Sequence, residues 1–520
     1  MTKKQDKASA HSPSVVESTL SLQRREFLRA SILGGLGFGA YSFLKHKGMS
    51  QVGSFVRDSM ASGLSRHMSA VDIINDALRG GPSLLGLGEA LAADNKKPGV
   101  FHVFYRTSHD IRNELHLLDY GPQYNMFGTG SVSAGANPLN LKQQTETKAP
   151  APLDRLNRWA YDILTTGKIN GATVVVPGSE NEAALTPDQI AQISLIAGVG
   201  MPGSLAVHAN AAIPGYGNLE YVMQQSFTNY SPIGALVINT NGFDGSPNRT
   251  VTIPGRTVVG FINSIDIPGV YMPRSRSNNP VQVFDDLTKS KTVKDVRTQM
   301  LDAHNLLVEQ LQNLQKYKAA SQQTFATYGQ RKLEGLTAMQ VYADLFKTGL
   351  VTLGSVGLDS FDFHAQDALR MPNEDEKRGN MVTESTQALA GVFYIAKAAF
   401  AAKKDAIIHL STCSNRTQNW EKDNSLVSTL TFIIKGSGSS SPFKDVPKQT
   451  LLISDNAKSI YAEGSESPDA PSFTSPAAVQ LGVGTKGLVG SLEAGIVNAV
   501  GKAIGQTPAM PLLSPAAKII

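Results

Sequence analysis

The chain has 520 residues, 41% of them hydrophobic and 18% charged, a net charge of +5 and one cysteine, Cys413. That length and apolar content suffice for a large core. A single thiol excludes both an intrachain disulfide framework and a Cys-ligated iron–sulfur cluster, so Cys413 reads as a small buried apolar residue.

The positive charge is concentrated at the N-terminus. Residues 1–47 hold eight basic side chains (Lys3, Lys4, Lys7, Arg24, Arg25, Arg29, Lys45, Lys47) and three acids (Asp6, Glu17, Glu26), which accounts for the whole +5. The rest of the chain is neutral overall and lacks the positive field that draws a phosphate backbone, so nucleic acid is not an expected partner. Within this segment, Arg24-Arg25-Glu26-Phe27-Leu28-Arg29 follows Gln23 and precedes a Gly-rich apolar stretch, 30–44, and then Lys45-His46-Lys47. Arg-Arg-x-Phe-Leu-Arg resembles the twin-arginine signal consensus and departs from it at Gln23, where Ser is commoner. The resemblance implies the twin-arginine translocation machinery as a partner and export in a folded state to the periplasm or cell surface. The apolar stretch is shorter than the roughly 20 residues a membrane-spanning helix needs. Two outcomes stay open. One is cleavage after Ala90-Leu91-Ala92, which makes 48–97 a helical spacer or extended leader. The other is retention as an inner-membrane tether through 30–44.

Beyond the leader, short apolar, β-branched runs alternate with helical patterns. Runs at 100–105, 172–176, 204–208, 258–262, 350–356, 406–411, 430–434 and 449–454 predict strands. Several are continuously apolar, as in strands covered on both faces. Thr186-Pro187-Asp188 predicts an N-capped helix running towards Ile196. Residues 384–403 predict an Ala-rich helix leading directly into the strand at 406. Residues 292–347 are polar and helix-favouring, with Leu306, Leu307, Leu311 and Leu314 as a core-facing stripe, and predict an inserted helical layer over one side of the sheet. The Gly/Ser run at 436–441 and residues 462–479 predict loops, and 487–504 a small-residue helix. The fold class is therefore α/β: a central mixed sheet with helices on both faces, spanning 98–460, with a loop and helix over 461–520.

Two motifs bear on chemistry. Gly482-Val483-Gly484-Thr485-Lys486-Gly487 matches GxGxxG, but the stretch before it is not clearly a strand. About 20 residues on, where a ribose-binding acid belongs, stand Asn498 and Lys502, so a glycine-rich turn is expected. Asp359-Ser360-Phe361-Asp362-Phe363-His364 follows a predicted strand at the edge where open α/β sheets bind ligands. In an extended backbone Asp362 and His364 share one side, a pairing suited to a divalent metal; an Asp–His hydrogen bond in a loop is the plain alternative.

The order of segments over 98–440 resembles a bacterial twin-arginine-exported family, domain of unknown function 1501, related to alkaline phosphatases and sulfatases. Four pieces carry it. Residues 100–110, ending Thr107-Ser108-His109-Asp110, are similar to the family's first strand and Gly-Gly-x-Ser-His turn, with Tyr105-Arg106 in place of the glycines. Residues 198–218, with His208, resemble the segment after the second strand. Residues 350–364 resemble the strand ending Trp-Asp-x-His, with Phe361 in the Trp place. Residues 406–420, with Ser414-Asn415-Arg416-Thr417, resemble the strand ending Glu-Phe-Gly-Arg-Thr. Where the family then has an Asp-His pair, this chain has Asp423-Asn424.

The resemblance implies an alkaline-phosphatase-like sheet, one divalent ion such as zinc held by Asp362, His364 and Asp423, and hydrolysis of a small phosphate or sulfate ester. Ser108 with His109 forms the nucleophile turn, and Arg416 binds the anion bidentately. The plain reading of Ser108-His109 is a polar turn, of His208 a satisfied core histidine, and of Arg416 a carbonyl cap or a partner of Asp423. Asn424 is a poor replacement for an imidazole on zinc. A non-catalytic periplasmic binding or assembly protein with a protein partner and no cofactor therefore stands beside the hydrolase.

Overall fold

A computed structural model describes residues 70–79, 83–84, 87, 97–105, 114–116, 148–169, 172–173, 182–202, 212–213, 217–227, 230–238, 257–267, 302, 304–323, 332–358, 374–412, 415–416, 423–424, 426–443, 449–454, 478–481 and 488–508. The strands in chain order are β1 (Gly99–Tyr105), β2 (Lys168–Ile169), β3 (Ala172–Thr173), β4 (Ile193–Pro202), β5 (Ala212–Ile213), β6 (Gly217–Asn218), β7 (Leu236–Ile238), β8 (Leu353–Leu358), β9 (Ala406–Thr412), β10 (Asn415–Arg416), β11 (Asp423–Asn424), β12 (Leu426–Ile434), β13 (Gln449–Ser454) and β14 (Ala478–Leu481). The helices are α1 (Ala70–Leu78), α2 (Arg158–Thr166), α3 (Pro187–Ile190), α4 (Leu219–Ser226), α5 (Val258–Asn263), α6 (Lys316–Ala320), α7 (Glu334–Lys347), α8 (Glu374–Ala402) and α9 (Leu488–Ile504).

The protein is an α/β fold built on one eight-stranded sheet in the order β14-β13-β4-β12-β9-β1-β8-β7. β12 is antiparallel to both its neighbours, β4 and β9. Every other pairing in the sheet is parallel, so β12 alone runs against the rest. It can do so because β9 and β12 are close in sequence: the chain leaves β9, forms the short antiparallel pair β10/β11 and returns directly. Parallel neighbours need a long crossover, whereas an antiparallel return needs only a turn.

Side chains alternate along each strand, so the sheet has two distinct faces. One carries Phe101, Val103, Ile408, Leu410, Leu430 and Phe432, all in the larger core with α7 and α8. There the Phe101 ring meets Phe346 edge-on at 5.4 Å and stacks near Tyr342 at 5.9 Å. The Tyr342 hydroxyl donates to the Ser355 carbonyl. α7 and α8 cross closely because Gly391 has no side chain; a Cβ there would lie 2.2 Å from Met339 Sδ. The opposite face carries Val100, Leu353, Ile407 and Ile433, packed under Val222 and Met223 of α4 and Ile496 and Val497 of α9.

α1, in the stretch before residue 98, joins the larger core through Ile73, Ile74, Ala77 and Leu78. Its Asn75 accepts from the Asp266 N–H at 2.9 Å and donates to the Ser264 carbonyl at 3.0 Å. Among the described residues no helix is long and apolar enough to cross a membrane.

Strands match the sequence expectation at β1, β9, β12 and β13, and helices at α8 and α9, with α8 starting ten residues earlier. Several expectations are corrected. The run at 258–262 is helix α5, not a strand: Thr257 Oγ1 accepts from the Gly260 N–H at 2.9 Å and Glu334 Oε1 from the Val258 N–H at 2.9 Å. A five-residue apolar run does not distinguish the two states, and here the caps decide. The helix at Thr186 has its predicted N-cap, completed as a capping box by Gln189, but ends at Ile190. The next residues enter β4, whose apolar run is buried between β12 and β13.

The strand expected at 350–356 is displaced to Leu353–Leu358, because the Leu350 and Val351 amides bond back to Leu345 O and finish α7. In the 292–347 layer Leu307, Leu311 and Leu314 are buried, but Leu306 is 40% exposed. The Gly/Ser loop at 436–441 is tied down: Ser437 N and Oγ donate to Asp405 Oδ1 at 3.0 and 2.7 Å, and Ser441 Oγ to Oδ2 at 2.7 Å. A strand, β14, does precede the glycine motif, and α9 follows it; residues 482–487 lie outside the described residues. Of the run at 172–176, only Ala172–Thr173 is described, paired with β2 away from the main sheet. The run at 204–208 lies outside the described residues.

Candidate functional site

The sites expected from sequence share one edge of the sheet. β8, β1 and β9 are adjacent and parallel, and their last residues, Leu358, Tyr105 and Thr412, are register partners. The segments holding Asp362 and His364, Ser108 and His109, and Arg416 therefore leave the sheet from three neighbouring points on its carboxyl edge. Ser108, His109, Asp362, His364, His208 and Cys413 themselves lie outside the described residues. Arg416 and Asp423 are brought together: they are register partners in the β10/β11 pair, as are Asn415 and Asn424.

The described residues hold a second constellation, in the middle of the sheet. His102 of β1 and His409 of β9 are register partners, flanked by Ser355 of β8 and Thr431 of β12 in the same transverse row. Alternation points all four towards α4 and α9. α4 places Glu220 over this row and α9 places Glu493 over it; His102, His409, Glu220 and Glu493 are each at most 1% exposed.

His102 Nδ1 lies 2.8 Å from Glu220 Oε1, and its Nε2 lies 2.7 Å from Ser411 Oγ. His409 Nδ1 lies 2.9 Å from Thr431 Oγ1. Its Nε2 stands 3.5 Å from Glu493 Oε1, and neither that nitrogen nor either Glu493 oxygen makes a hydrogen bond. The two imidazoles are 5.5 Å apart between centroids, tilted by 34°.

Burial dominates the electrostatics. It drives the Glu493 carboxyl well above its usual range, with the nearby Glu220 charge adding to the shift. It drives His409 well below its usual range, and the neighbouring His102 pushes the same way. Burial also acts upward on Glu220, but the His102 imidazole, the Ser355 hydroxyl and a backbone N–H together outweigh it and hold that carboxyl below the ordinary value. The charged form of an isolated buried group is costly, so the unpartnered acid and base move towards neutrality while the partnered acid stays ionised.

One nitrogen from each histidine and one Glu493 oxygen all lie within 4.8 Å of one another, a group able to hold a metal ion. Sequence reasoning missed all four ionisable residues. The signal available was a lone histidine inside each of two continuous apolar runs. Their adjacency depends on strand order, which the sequence did not disclose.

No protein-family model, curated protein or solved structure matches the chain.

Proposed function

We propose that the protein is an exported α/β hydrolase of alkaline-phosphatase-like architecture, acting on small phosphate or sulfate esters at the carboxyl edge of β8, β1 and β9. The observation that carries the reading is the register of Leu358, Tyr105 and Thr412, which starts all three chemistry-bearing segments from one edge. That is where open α/β sheets bind ligands. In this reading Asp362, His364 and Asp423 hold a divalent ion of the zinc class, which polarises the ester oxygen. Ser108 attacks with His109 beside it. Arg416, whose backbone is paired with that of Asp423, binds the anion.

The test is ester hydrolysis by the purified full chain, with aryl phosphate and aryl sulfate substrates and added zinc, manganese or calcium. The expected result is turnover that falls at least about 100-fold in Asp362→Ala and in Ser108→Ala, the scale of losing a catalytic group. Absence of turnover with every ion, in a chain shown to be folded, overturns the hydrolase and leaves a non-catalytic periplasmic binding or assembly protein. One observation favours that second reading: the metal-capable group within the described residues is sealed from solvent, with no face open to a substrate.

Export through the twin-arginine route predicts that Arg24→Lys with Arg25→Lys holds the protein in the cytoplasm. Cleavage after Ala92 would remove α1, whose apolar side is built into the larger core. N-terminal sequencing of the exported protein should therefore find a start before Ala70 or an intact tether.

A further inference from the structure

The buried row in the middle of the sheet has no task in the hydrolase reading, which places its chemistry at the edge. The geometry points to a structural metal site there: a divalent ion of the zinc class held by Nε2 of His102, Nε2 of His409 and a carboxylate oxygen of Glu493, with the Ser411 hydroxyl beside the fourth position.

The hydrogen bonds select the donor atoms. Nδ1 of His102 is taken by Glu220 at 2.8 Å and Nδ1 of His409 by Thr431 at 2.9 Å. Nε2 of His102 lies 2.7 Å from Ser411 Oγ, a bond the ion would displace, leaving that hydroxyl beside the fourth position. A ligating histidine is commonly oriented this way, one ring nitrogen fixed by a carboxylate or other acceptor and the other turned to the metal. His409 Nε2 and both Glu493 oxygens are buried and make no hydrogen bond. Native proteins seldom bury such groups unsatisfied, and each instance calls for a partner.

Distance separates an ion from a proton as that partner. His409 Nε2 and Glu493 Oε1 stand 3.5 Å apart. A charge-assisted hydrogen bond would draw them to about 2.7–2.9 Å. Two donors of one tetrahedral ion, each about 2.0–2.1 Å from it, sit about 3.4 Å apart. The wider 4.8 Å envelope of the three donors closes to that spacing with shifts of under about 1 Å at each ligand.

Charge gives the same answer. Once the ion has displaced any proton from Glu493, the carboxylates of Glu220 and Glu493 balance its two charges; buried charge is tolerated only when balanced. Two nitrogens with one or two oxygens suit zinc and its neighbours, whereas calcium and magnesium favour all-oxygen shells. Burial closes the site to substrate, which makes it structural. The ion would tie α9, through Glu493, to β1 and β9. Glu220 adds α4 through its bond to His102. Most of the chain lies between these ligands.

The experiment uses the full chain carrying Asp362→Ala and His364→Ala, which removes the edge ion of the hydrolase reading. Metal is counted by mass spectrometry after purification without chelator, and after refolding with zinc or cobalt. The expected result is about one ion per chain, with cobalt giving visible bands of a nitrogen–oxygen site. Glu493→Gln, which keeps the side-chain shape, should lower retention at least tenfold. Glu220→Gln, which keeps all three ligands and alters the group orienting His102, should weaken affinity about 10–100-fold. A folded chain that takes up neither zinc nor cobalt overturns the inference, as does Glu493→Gln binding like its parent. If Glu493→Gln does not fold, the cobalt spectrum of the parent decides: bands without histidine ligation overturn it. Lost hydrolysis with the core ion retained counts against the hydrolase alone, and a missing core ion with hydrolysis intact counts against this site alone.

Discussion

The two faces of the sheet are made by the same strands, one residue out of step, yet they are chemically different. On one face the row Phe432, Ile408, Phe101 and Gly354 meets the apolar sides of α7 and α8. On the other, one residue along, the row Thr431, His409, His102 and Ser355 meets two carboxylates delivered by α4 and α9. The first is held by close packing. The second contains buried ionisable groups, a costly choice unless they are partnered. β9 shows both solutions to burying a carboxylate along its length. Asp405, just before the strand, accepts three hydrogen bonds from Ser437 and Ser441, whereas Glu493, over its middle, accepts none.

The largest effect should come from the apolar face. Phe101→Ala empties the space between Tyr342 and Phe346 and should cost about 3–5 kcal/mol in denaturant unfolding, as for other buried aromatics. Glu220→Gln on the polar face should cost about 1–3 kcal/mol in metal-free protein, because it removes a charged acceptor from His102. A loss there as large as at Phe101 would erase the contrast between faces.

The polar face should contribute a pH response that the apolar face does not. In the metal-free fold His409 stays neutral well below the usual imidazole range, while the unfolded chain binds a proton below about pH 6.5. The stability it contributes is present above about pH 6.5 and is lost as pH falls, by up to about 1.4 kcal/mol per unit. Glu493 acts in the opposite sense. Its folded value is raised, so its contribution is present below about pH 4.3 and lost as pH rises through the folded value. Glu493→Gln should therefore remove that loss towards neutral pH in metal-free protein. Unfolding curves across pH, with and without chelator, would check both.

The smallest expected effects are at surface positions. Thr257→Ala should cost about 1 kcal/mol through loss of the α5 cap. Leu306→Ala should change stability by less than about 0.5 kcal/mol, against about 2–5 kcal/mol for its buried neighbour Leu307→Ala.

Much of the fold was legible because its signals are local. Continuous apolar runs gave β1, β9, β12 and β13, and the Ala-rich pattern gave α8. The Thr186 cap placed the start of α3, whereas α5 was misread as a strand from five ambiguous residues, its Thr257 cap unread. The proposed edge site rests on motifs alone, since Asp362 and His364, or Arg416 and Thr417, are neighbours in sequence. The central site was not. His102, Glu220, His409 and Glu493 come from four distant segments, and each alone looks like an isolated polar residue in an apolar element.

By itself the sequence determined the alternating helices and strands, the placing of the whole net charge in the first 47 residues, and the apolar character of the central strands. Local propensity and periodicity act within a few residues and need no partner. The tertiary structure decided the strand order, the reversed direction of β12 and the meeting of two histidines with two carboxylates under α4 and α9. Those depend on which strands lie side by side and which helix covers them, and contacts across hundreds of residues are settled by packing of the whole core.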